Sequence, residues 1–176
     1  MAAETIARPK LSGVADYIAT VAGIGLLPIM PGTWCSIFVA LPALFLAVTI
    51  DTIQIGYGIA SLVFLITGLW SVPRIQQKWG KDPSVVVIDE ALGMSIVFLF
   101  PAAITGWAMW ACSLFLFRLF DVMKPWPIDA IDKRSEPWAV LGDDLLAGLL
   151  AGICVQLVAA ALMALGIVNA HFALGS

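Results

Sequence analysis

The sequence predicts an all-α fold: a polytopic transmembrane helical bundle with about five membrane-crossing segments and a short N-terminal interfacial or re-entrant segment. Of the 176 residues, 61% are hydrophobic and 12% are charged, whereas a soluble domain is nearer half apolar and a quarter charged. The mean hydropathy is +1.01, and the apolar residues form blocks that are too long for ordinary core helices. One compact membrane-embedded unit is therefore expected.

Five apolar blocks, separated by polar turns and loops, predict the crossings. A shorter block, residues 18–27, ends at Pro28, Pro31 and Gly32, which cannot continue a helix, and whether it crosses is left open. Thr33 is expected to N-cap the first crossing. The third and fourth blocks are short for a core of ~30 Å and are expected to form a helical hairpin. The predicted crossings are 33–50, 52–72, 85–100, 107–120 and 145–168.

The chain is expected to contain a single transmembrane catalytic domain. Residues 1–17 form a predicted N-terminal cytoplasmic arm, residues 18–170 form the domain and residues 171–176 form a tail. With five crossings, all nine Lys and Arg residues fall on one side of the membrane, and the positive-inside rule assigns that side to the cytoplasm. The pI near 4.9 argues against a nucleic-acid partner. The sequence leaves homo-oligomer formation open.

The remaining side chains exclude several kinds of chemistry. Cys35, Cys112 and Cys154 lie in apolar segments without C-x-x-C spacing, so buried free thiols are expected rather than disulfides or a zinc site. His171 is the only histidine and lies on the opposite side of the predicted membrane from the charged segments. This position excludes a phosphatase that uses a pair of histidines beside its acids.

Two pairs of adjacent acids stand at boundaries between polar and apolar sequence. Asp89 and Glu90 interrupt an apolar block, where charges are costly unless they are paired or bind a metal. Asp143 and Asp144 directly precede the last crossing. Helix capping is the alternative interpretation of each pair, because the helix dipole favours negative charge at the start. Since one acid is enough for a cap, we predict that both pairs contribute to an active site.

The segment between the fourth and fifth crossings holds a third group of charges. Arg118, Asp121 and Lys124 are spaced three residues apart, so they share one face of a helix. Pro125 follows directly and is expected to end that helix. A plain salt-bridged helix end is the alternative. The middle of the segment is interpreted as a solvated loop that carries Asp129, Asp132 and Glu136.

Together these residues predict a magnesium site that acts on a phosphate. Carboxylates supply only oxygen ligands, which suit a hard cation such as Mg²⁺. Arg118 and Lys124 would neutralise phosphate oxygens, and Gly32 and Thr33 at a helix start would offer backbone N–H groups to the same phosphate. Attack by water with a carboxylate base is preferred, and an aspartyl-phosphate intermediate is the alternative. The candidate catalytic and metal-binding acids are Asp89, Glu90, Asp121, Asp143 and Asp144.

Four motifs cover most of the chain, from about residue 18 to residue 165, and occur in the order found in a known family. They are Pro31-Gly32-Thr33, Val87-Ile88-Asp89-Glu90-Ala91-Leu92-Gly93-Met94, Phe117-Arg118-Leu119-Phe120-Asp121-Val122-Met123-Lys124-Pro125-Trp126-Pro127-Ile128 and Asp143-Asp144-Leu145-Leu146-Ala147-Gly148. With these motifs the sequence resembles the phosphatidylglycerophosphatase A family. The Arg-x-x-Asp-x-x-Lys-Pro-Trp-Pro block is the most specific of them. One departure is Cys35, where the family pattern is expected to have glycine.

The resemblance implies a multi-pass enzyme of the bacterial cell inner membrane with its active site on the cytoplasmic side. Such an enzyme would use Mg²⁺ to hydrolyse phosphatidylglycerophosphate to phosphatidylglycerol and phosphate in glycerophospholipid biosynthesis. Its partners would be this substrate and membrane lipid. The alternatives are a small membrane cation transporter and a non-catalytic membrane subunit. A transporter needs acids spread across the depth of the bilayer, whereas the acids in this sequence fall on one predicted side.

Overall fold

The structure, a computed structural model, describes residues 9–46, 49–80 and 83–167. Within these ranges the chain is helical and contains no strand, as the sequence predicts. Two short 3₁₀ helices, Ile24–Leu26 and Pro101–Ile104, lie between the α-helices. The α-helices are α1 (Val14–Ala19), α2 (Pro31–Phe45), α3 (Ile50–Trp79), α4 (Ile88–Val97), α5 (Trp107–Met123), α6 (Ile128–Asp132) and α7 (Ala139–Ala164). Much of the predicted arm and the whole predicted tail lie outside the described residues.

Helix α4 is the centre of the bundle, since it packs against α2, α3, α5 and α7. Two apolar clusters surround it: one contains Met94 and Val97, and the other contains Ile88 and Leu92. Because side chains on opposite faces of α4 enter different clusters, this helix is buried all round, as expected of a core helix.

Glycines let α4 and α7 approach closely. A side chain on Gly148 of α7 would lie 2.3 Å from the carbonyl oxygen of Gly93 in α4, and one on Gly93 would lie 2.5 Å from the carbonyl oxygen of Asp144. The backbones of the two helices therefore touch with no side chain between them. This contact brings the beginning of α4 against the beginning of α7, and both acid pairs lie there.

The helix ends form two sets, which we call the cleft end and the far end. Helices α2, α4 and α7 begin at the cleft end, where α3 and α5 finish. At the far end, Gln54, one turn into α3, donates from Nε2 to the carbonyl oxygen of Leu99 beyond α4, at 2.6 Å. Gln156 of α7 accepts a hydrogen bond from the N–H of Ala102, at 3.3 Å. These contacts join the turn after α4 to α3 and α7.

Several predicted boundaries are wrong. Helix α3 continues through Pro73 to Trp79, although the polar segment 73–84 predicts a loop. Proline removes one helical hydrogen bond, but burial of Val72 and Ile75 against α1, α4 and α7 offsets that loss. Thr33 does not cap α2, because the helix begins at Pro31 and Met30 takes the cap position.

Two further predicted boundaries fall within helices. Asp51 and Thr52, predicted as a turn, lie in the first turn of α3, where Thr49 is the cap and accepts a hydrogen bond from the N–H of Thr52. Helix α7 begins at Ala139, so Asp143 and Asp144 lie within it and do not cap it. The helix start six residues earlier than expected moves both acids onto the buried side of α7.

Two of the described helices, α3 and α7, are long and apolar enough to cross a membrane. Helix α2 is apolar but has only 15 residues, and α4 with 10 residues is about 15 Å long. The five crossings predicted from the sequence are therefore not confirmed by helix length. The short α4 reflects Val85–Val87, which precede it as buried non-helical chain rather than as helix.

An ion pair with a buried carboxylate fixes the N-terminal segment to α3. Lys78 Nζ lies 2.5 Å from Asp16 Oδ2, and the Asp16 side chain is only 4% exposed. Burial by itself raises the pKa of Asp16, but the Lys78 ammonium and the N–H groups of Ser12 and Gly13 hold that pKa below its ordinary value. This ion pair therefore links α1 to the part of α3 that extends beyond Pro73.

All three cysteines are free thiols, but only Cys35 is buried as expected; Cys112 and Cys154 are half-buried. Cys35, the departure from the family pattern, is fully buried, and its thiol donates to the carbonyl oxygen of Val87 at 3.1 Å. The thiol therefore helps to hold α2 against the segment that leads into α4.

Candidate active site

A cleft of about 510 Å³ opens at the cleft end of the bundle. It is bounded by the beginnings of α2, α4 and α7, the ends of α3 and α5, and the segment between α6 and α7. The lining residues are Met30, Pro31, Gly32, Gln76, Pro83, Ser84, Val86, Asp89, Glu90, Arg118, Asp121, Lys124, Asp132, Arg134, Ser135, Glu136, Ala139, Val140, Asp143 and Asp144. All five acids predicted from the sequence line this one cleft.

Three of the acids form a cluster that we call the acid centre: Asp89, Glu90 and Asp144. One carboxylate oxygen from each lies within 4.8 Å of those from the other two. Asp89 and Glu90 occupy the first turn of α4, and the glycine contact between α4 and α7 brings Asp144 beside them. Negative charges at this spacing repel one another unless a cation or protons compensate them.

Arg118 lies between the acid centre and Asp121. Its Nη1 is 2.6 Å from Asp121 Oδ2 and 3.6 Å from Glu90 Oε1. These contacts are ionic only, since Nε and Nη1 are both buried and neither makes a hydrogen bond within the described chain. Glu90 Oε2 is also buried without a donor there. Buried polar atoms are nearly always hydrogen-bonded, so these donors and this acceptor are candidates for binding a ligand.

Lys124 occupies a different part of the cleft from Arg118. Its backbone is left-handed, with φ 43°, at the end of α5, and its ammonium contacts Asp143 Oδ2 at 2.5 Å and Asp132 Oδ1. Burial alone lowers the pKa of Lys124, but the two carboxylates raise it above its ordinary value. Lys124 therefore stays charged and neutralises Asp143, which lies outside the acid centre.

Asp132 is not the solvated loop residue that the sequence predicts. It ends the short helix α6, pairs with Lys124 and lines the cleft. Glu136 also lines the cleft, whereas Asp129 pairs with Lys133 at 2.5 Å and does not. The segment between α5 and α7 thus folds back over the site.

Gly32 is the point where α2 meets the site. A side chain there would lie 1.8 Å from Glu90 Oε1 and 3.2 Å from Arg118 Nη1, so only glycine leaves room for both groups. Thr33, the other residue predicted to bind phosphate, does not line the cleft. Its Oγ1 is buried without a hydrogen-bond partner in the described residues. The structure supports Gly32 in the site and gives Thr33 no contact with the cleft.

Sequence reasoning misses several lining residues, among them Gln76, Ser84 and Arg134. The signal for Gln76 is the helical spacing that continues across Pro73, from Val72 to Ile75, and indicates a longer α3. Arg134 has no such signal, because its position depends on the path of an irregular segment between two helices.

Comparison with known proteins assigns the chain to a protein family. The sequence model of a family described as Phosphatidylglycerophosphatase A matches residues 17–159. A Bacteroides thetaiotaomicron protein, provisionally named a phosphatidylinositol-3-phosphatase, is 32% identical over 151 residues, which cover 84% of this chain and 94% of that protein. Phosphatidylglycerophosphatase A of Escherichia coli is 32% identical over 149 residues, 83% of this chain and 84% of its own. The Haemophilus influenzae protein of the same name is 32% identical over 137 residues, 76% and 81% of the two chains. No solved structure matches.

Proposed function

Because the chain belongs to the phosphatidylglycerophosphatase A family, and is therefore a phosphatase, we propose that it is a Mg²⁺-dependent lipid phosphatase. Its substrate would be phosphatidylglycerophosphate, and its products phosphatidylglycerol and inorganic phosphate, as a step of glycerophospholipid biosynthesis. The observation that carries this proposal is that the acid centre and the buried guanidinium of Arg118, whose Nε and Nη1 make no hydrogen bond within the described residues, line one cleft.

The acid centre fits a magnesium ion by the chemistry of its donors. Asp89, Glu90 and Asp144 offer carboxylate oxygens within 4.8 Å of one another, and Glu90 Oε2 is buried without a donor among the described residues. Asp121 and Asp143 are already neutralised by Arg118 and Lys124, so they would act beside the metal ligands. When bound, Mg²⁺ would supply positive charge for the phosphate oxygens and make a water molecule more acidic.

The chain's own residues would bind and orient the phosphate. The Arg118 guanidinium would form charge-assisted hydrogen bonds to phosphate oxygens, which gain charge in the transition state. A carboxylate of the cleft would take a proton from the attacking water while the new oxygen–phosphorus bond forms. The ester bond to the glycerol then breaks, and the glycerol oxygen leaves with the proton that the carboxylate took up. An aspartyl-phosphate intermediate is the other route, and rapid-quench trapping would detect it.

We further propose that the enzyme is a multi-pass protein of the bacterial inner membrane with five crossings and a cytoplasmic cleft. Successive long helices meet the cleft with alternating ends, as antiparallel crossings require. The hydrogen bond from Gln54 to Leu99 indicates that the turn after the short α4 reaches the far end of α3. Large apolar side chains on α3 are exposed, including Ile55, Ile59 and Ile66, and a lipid environment would cover them.

The cation-transporter alternative is less well supported, because the five candidate acids line one cleft at one end of the bundle. The name of the Bacteroides thetaiotaomicron relative makes phosphatidylinositol 3-phosphate a second substrate to test.

The test is phosphate release by the purified protein from mixed micelles, each containing one lipid phosphate, with Mg²⁺ or with EDTA. We expect release from phosphatidylglycerophosphate with Mg²⁺, at least tenfold faster than from phosphatidylinositol 3-phosphate or phosphatidic acid, and none with EDTA. Faster release from phosphatidylinositol 3-phosphate would reject the proposed substrate. Equal release in EDTA would reject the metal dependence.

A further inference from the structure

Among the described residues, three cationic side chains line the cleft, and they differ in their partners. Arg118 is paired with Asp121, and Lys124 with Asp132 and Asp143. Arg134 lines the same cleft but makes no ion pair within the described chain. Its guanidinium lies over the ring of Trp138, 5.6 Å from the centroid. A positive charge at the mouth of an anionic cleft without a carboxylate partner is available for an anionic group of a ligand.

We propose that Arg134 binds the phosphodiester of the lipid headgroup and thereby selects substrates in which a short spacer separates a phosphomonoester from a phosphodiester. This inference rests on the proposed function. Phosphatidylglycerophosphate carries two phosphates: the terminal monoester, which is hydrolysed, and the diester next to the acyl chains. The acid centre and Arg118 would bind the first phosphate, and Arg134 the second.

The position of Arg134 suits the second phosphate. It lies on the exposed segment between α6 and α7, whereas the acid centre is half-buried to buried deeper in the cleft. Trp138 is 42% exposed, and its ring packs over Gly142, where an added side chain would lie 3.1 Å from it. Partly exposed tryptophans favour the level of lipid headgroups. The diester of a lipid lies at that level, and its terminal monoester would turn into the cleft from there to reach the acid centre.

The surrounding charges limit the expected size of the effect. Asp132 is neutralised by Lys124, but Glu136 also lines the cleft and makes no ion pair within the described chain. Its charge opposes a second phosphate. Arg134 is exposed, so water and salt also weaken its contact with phosphate. We therefore expect a change of about tenfold rather than complete loss of binding.

The experiment compares steady-state kinetics on phosphatidylglycerophosphate and on phosphatidic acid, which has the monoester alone, in uncharged detergent micelles. Arg134→Gln should raise KM for phosphatidylglycerophosphate about tenfold and leave kcat within about twofold. Its KM for phosphatidic acid should change less than about twofold. If phosphatidic acid is not hydrolysed, its inhibition constant against phosphatidylglycerophosphate replaces its KM. Arg134→Lys should be intermediate, because lysine keeps the charge but loses the planar fork.

Lys133→Gln is the matched control, since Lys133 is adjacent, 74% exposed and paired with Asp129 outside the cleft. It should behave like wild type. Three outcomes would each overturn the inference. The first is that Arg134→Gln raises KM equally for both lipids, and the second is that it leaves KM for phosphatidylglycerophosphate unchanged. The third is that Lys133→Gln raises that KM as much as Arg134→Gln does. If the wild-type protein does not hydrolyse phosphatidylglycerophosphate, the proposed function fails first and this inference fails with it. If the wild-type protein is active but Arg134→Gln does not elute as a folded protein, Arg134→Lys becomes the test variant. An unchanged KM of Arg134→Lys for phosphatidylglycerophosphate would then reject the binding of the diester by Arg134.

Discussion

The two ends of the bundle differ in whether their buried polar groups have hydrogen-bond partners. At the far end, polar side chains have backbone partners: Tyr57 donates to the carbonyl oxygen of Val39 at 2.8 Å, and Trp110 donates to that of Ala40 at 2.8 Å. At the cleft end, Nε and Nη1 of Arg118 and one oxygen of Glu90 are buried without hydrogen-bond partners in the described residues. Unmade hydrogen bonds of buried groups cost about 1–3 kcal/mol each. The far end therefore stabilises the fold, whereas the cleft end keeps polar atoms available for a ligand.

The most severe test of this comparison removes a charge from the acid centre. Asp144→Asn keeps the size of the side chain but removes a carboxylate from the place where three meet. We expect kcat to fall about a hundredfold or more, while thermal stability holds or rises because repulsion is relieved. Phosphate release and thermal unfolding of the purified variant measure the two quantities.

Asp51→Asn is the control for the other end, because Asp51 is exposed in the first turn of α3. Its activity should equal that of wild type. Equal loss of activity in both variants would remove the functional distinction between the two ends.

A second test changes the geometry of the cleft without changing its charge. Gly32→Ala introduces a carbon that would lie 1.8 Å from Glu90 Oε1, so the acid or helix α2 must move. Displacements of about 1 Å can cost two orders of magnitude in rate, and we expect a loss of kcat of at least tenfold. Gly56→Ala is the matched variant, since nothing lies within 4 Å of the added carbon there. It should retain full activity, and equal losses in both variants would contradict the role of Gly32.

Particular residues explain how far the sequence predicts this arrangement. Asp89 and Glu90 stand out because charges inside an apolar block are costly, and Arg118 and Asp121 stand out because helical spacing is regular. Both are local signals, and the structure brings these residues into one cleft. Arg134 has no local signal, because its position depends on how a non-periodic segment returns over the bundle. The continuation of α3 past Pro73 shows burial in the bundle overriding a local helix breaker.

A third test concerns stability at the N-terminal edge of the cleft end. Asp16→Asn removes the carboxylate that pairs with Lys78, and we expect the free energy of unfolding to fall by about 1–2 kcal/mol at neutral pH. The pKa of Asp16 is lowered in the folded protein from its ordinary value of 3.8. Its contribution is therefore fully present above that value and is lost as the pH falls through the lower folded value. Thermal unfolding in detergent should show the variant and wild type converging below pH 4, and a constant difference down to the lowest pH would contradict this origin.

The smallest expected effect belongs to the far end. Gln54→Ala removes the hydrogen bond to the carbonyl oxygen of Leu99, which should cost about 1 kcal/mol of stability. The site lies at the opposite end, so kcat and KM should remain at wild-type values when measured well below the unfolding temperature. Gln77→Ala, on the exposed side of the same helix, should change neither stability nor activity. A loss of activity in Gln54→Ala without a loss of stability would mean that the far end also contributes to catalysis, because a purely structural contact affects the rate only through the fraction of folded protein.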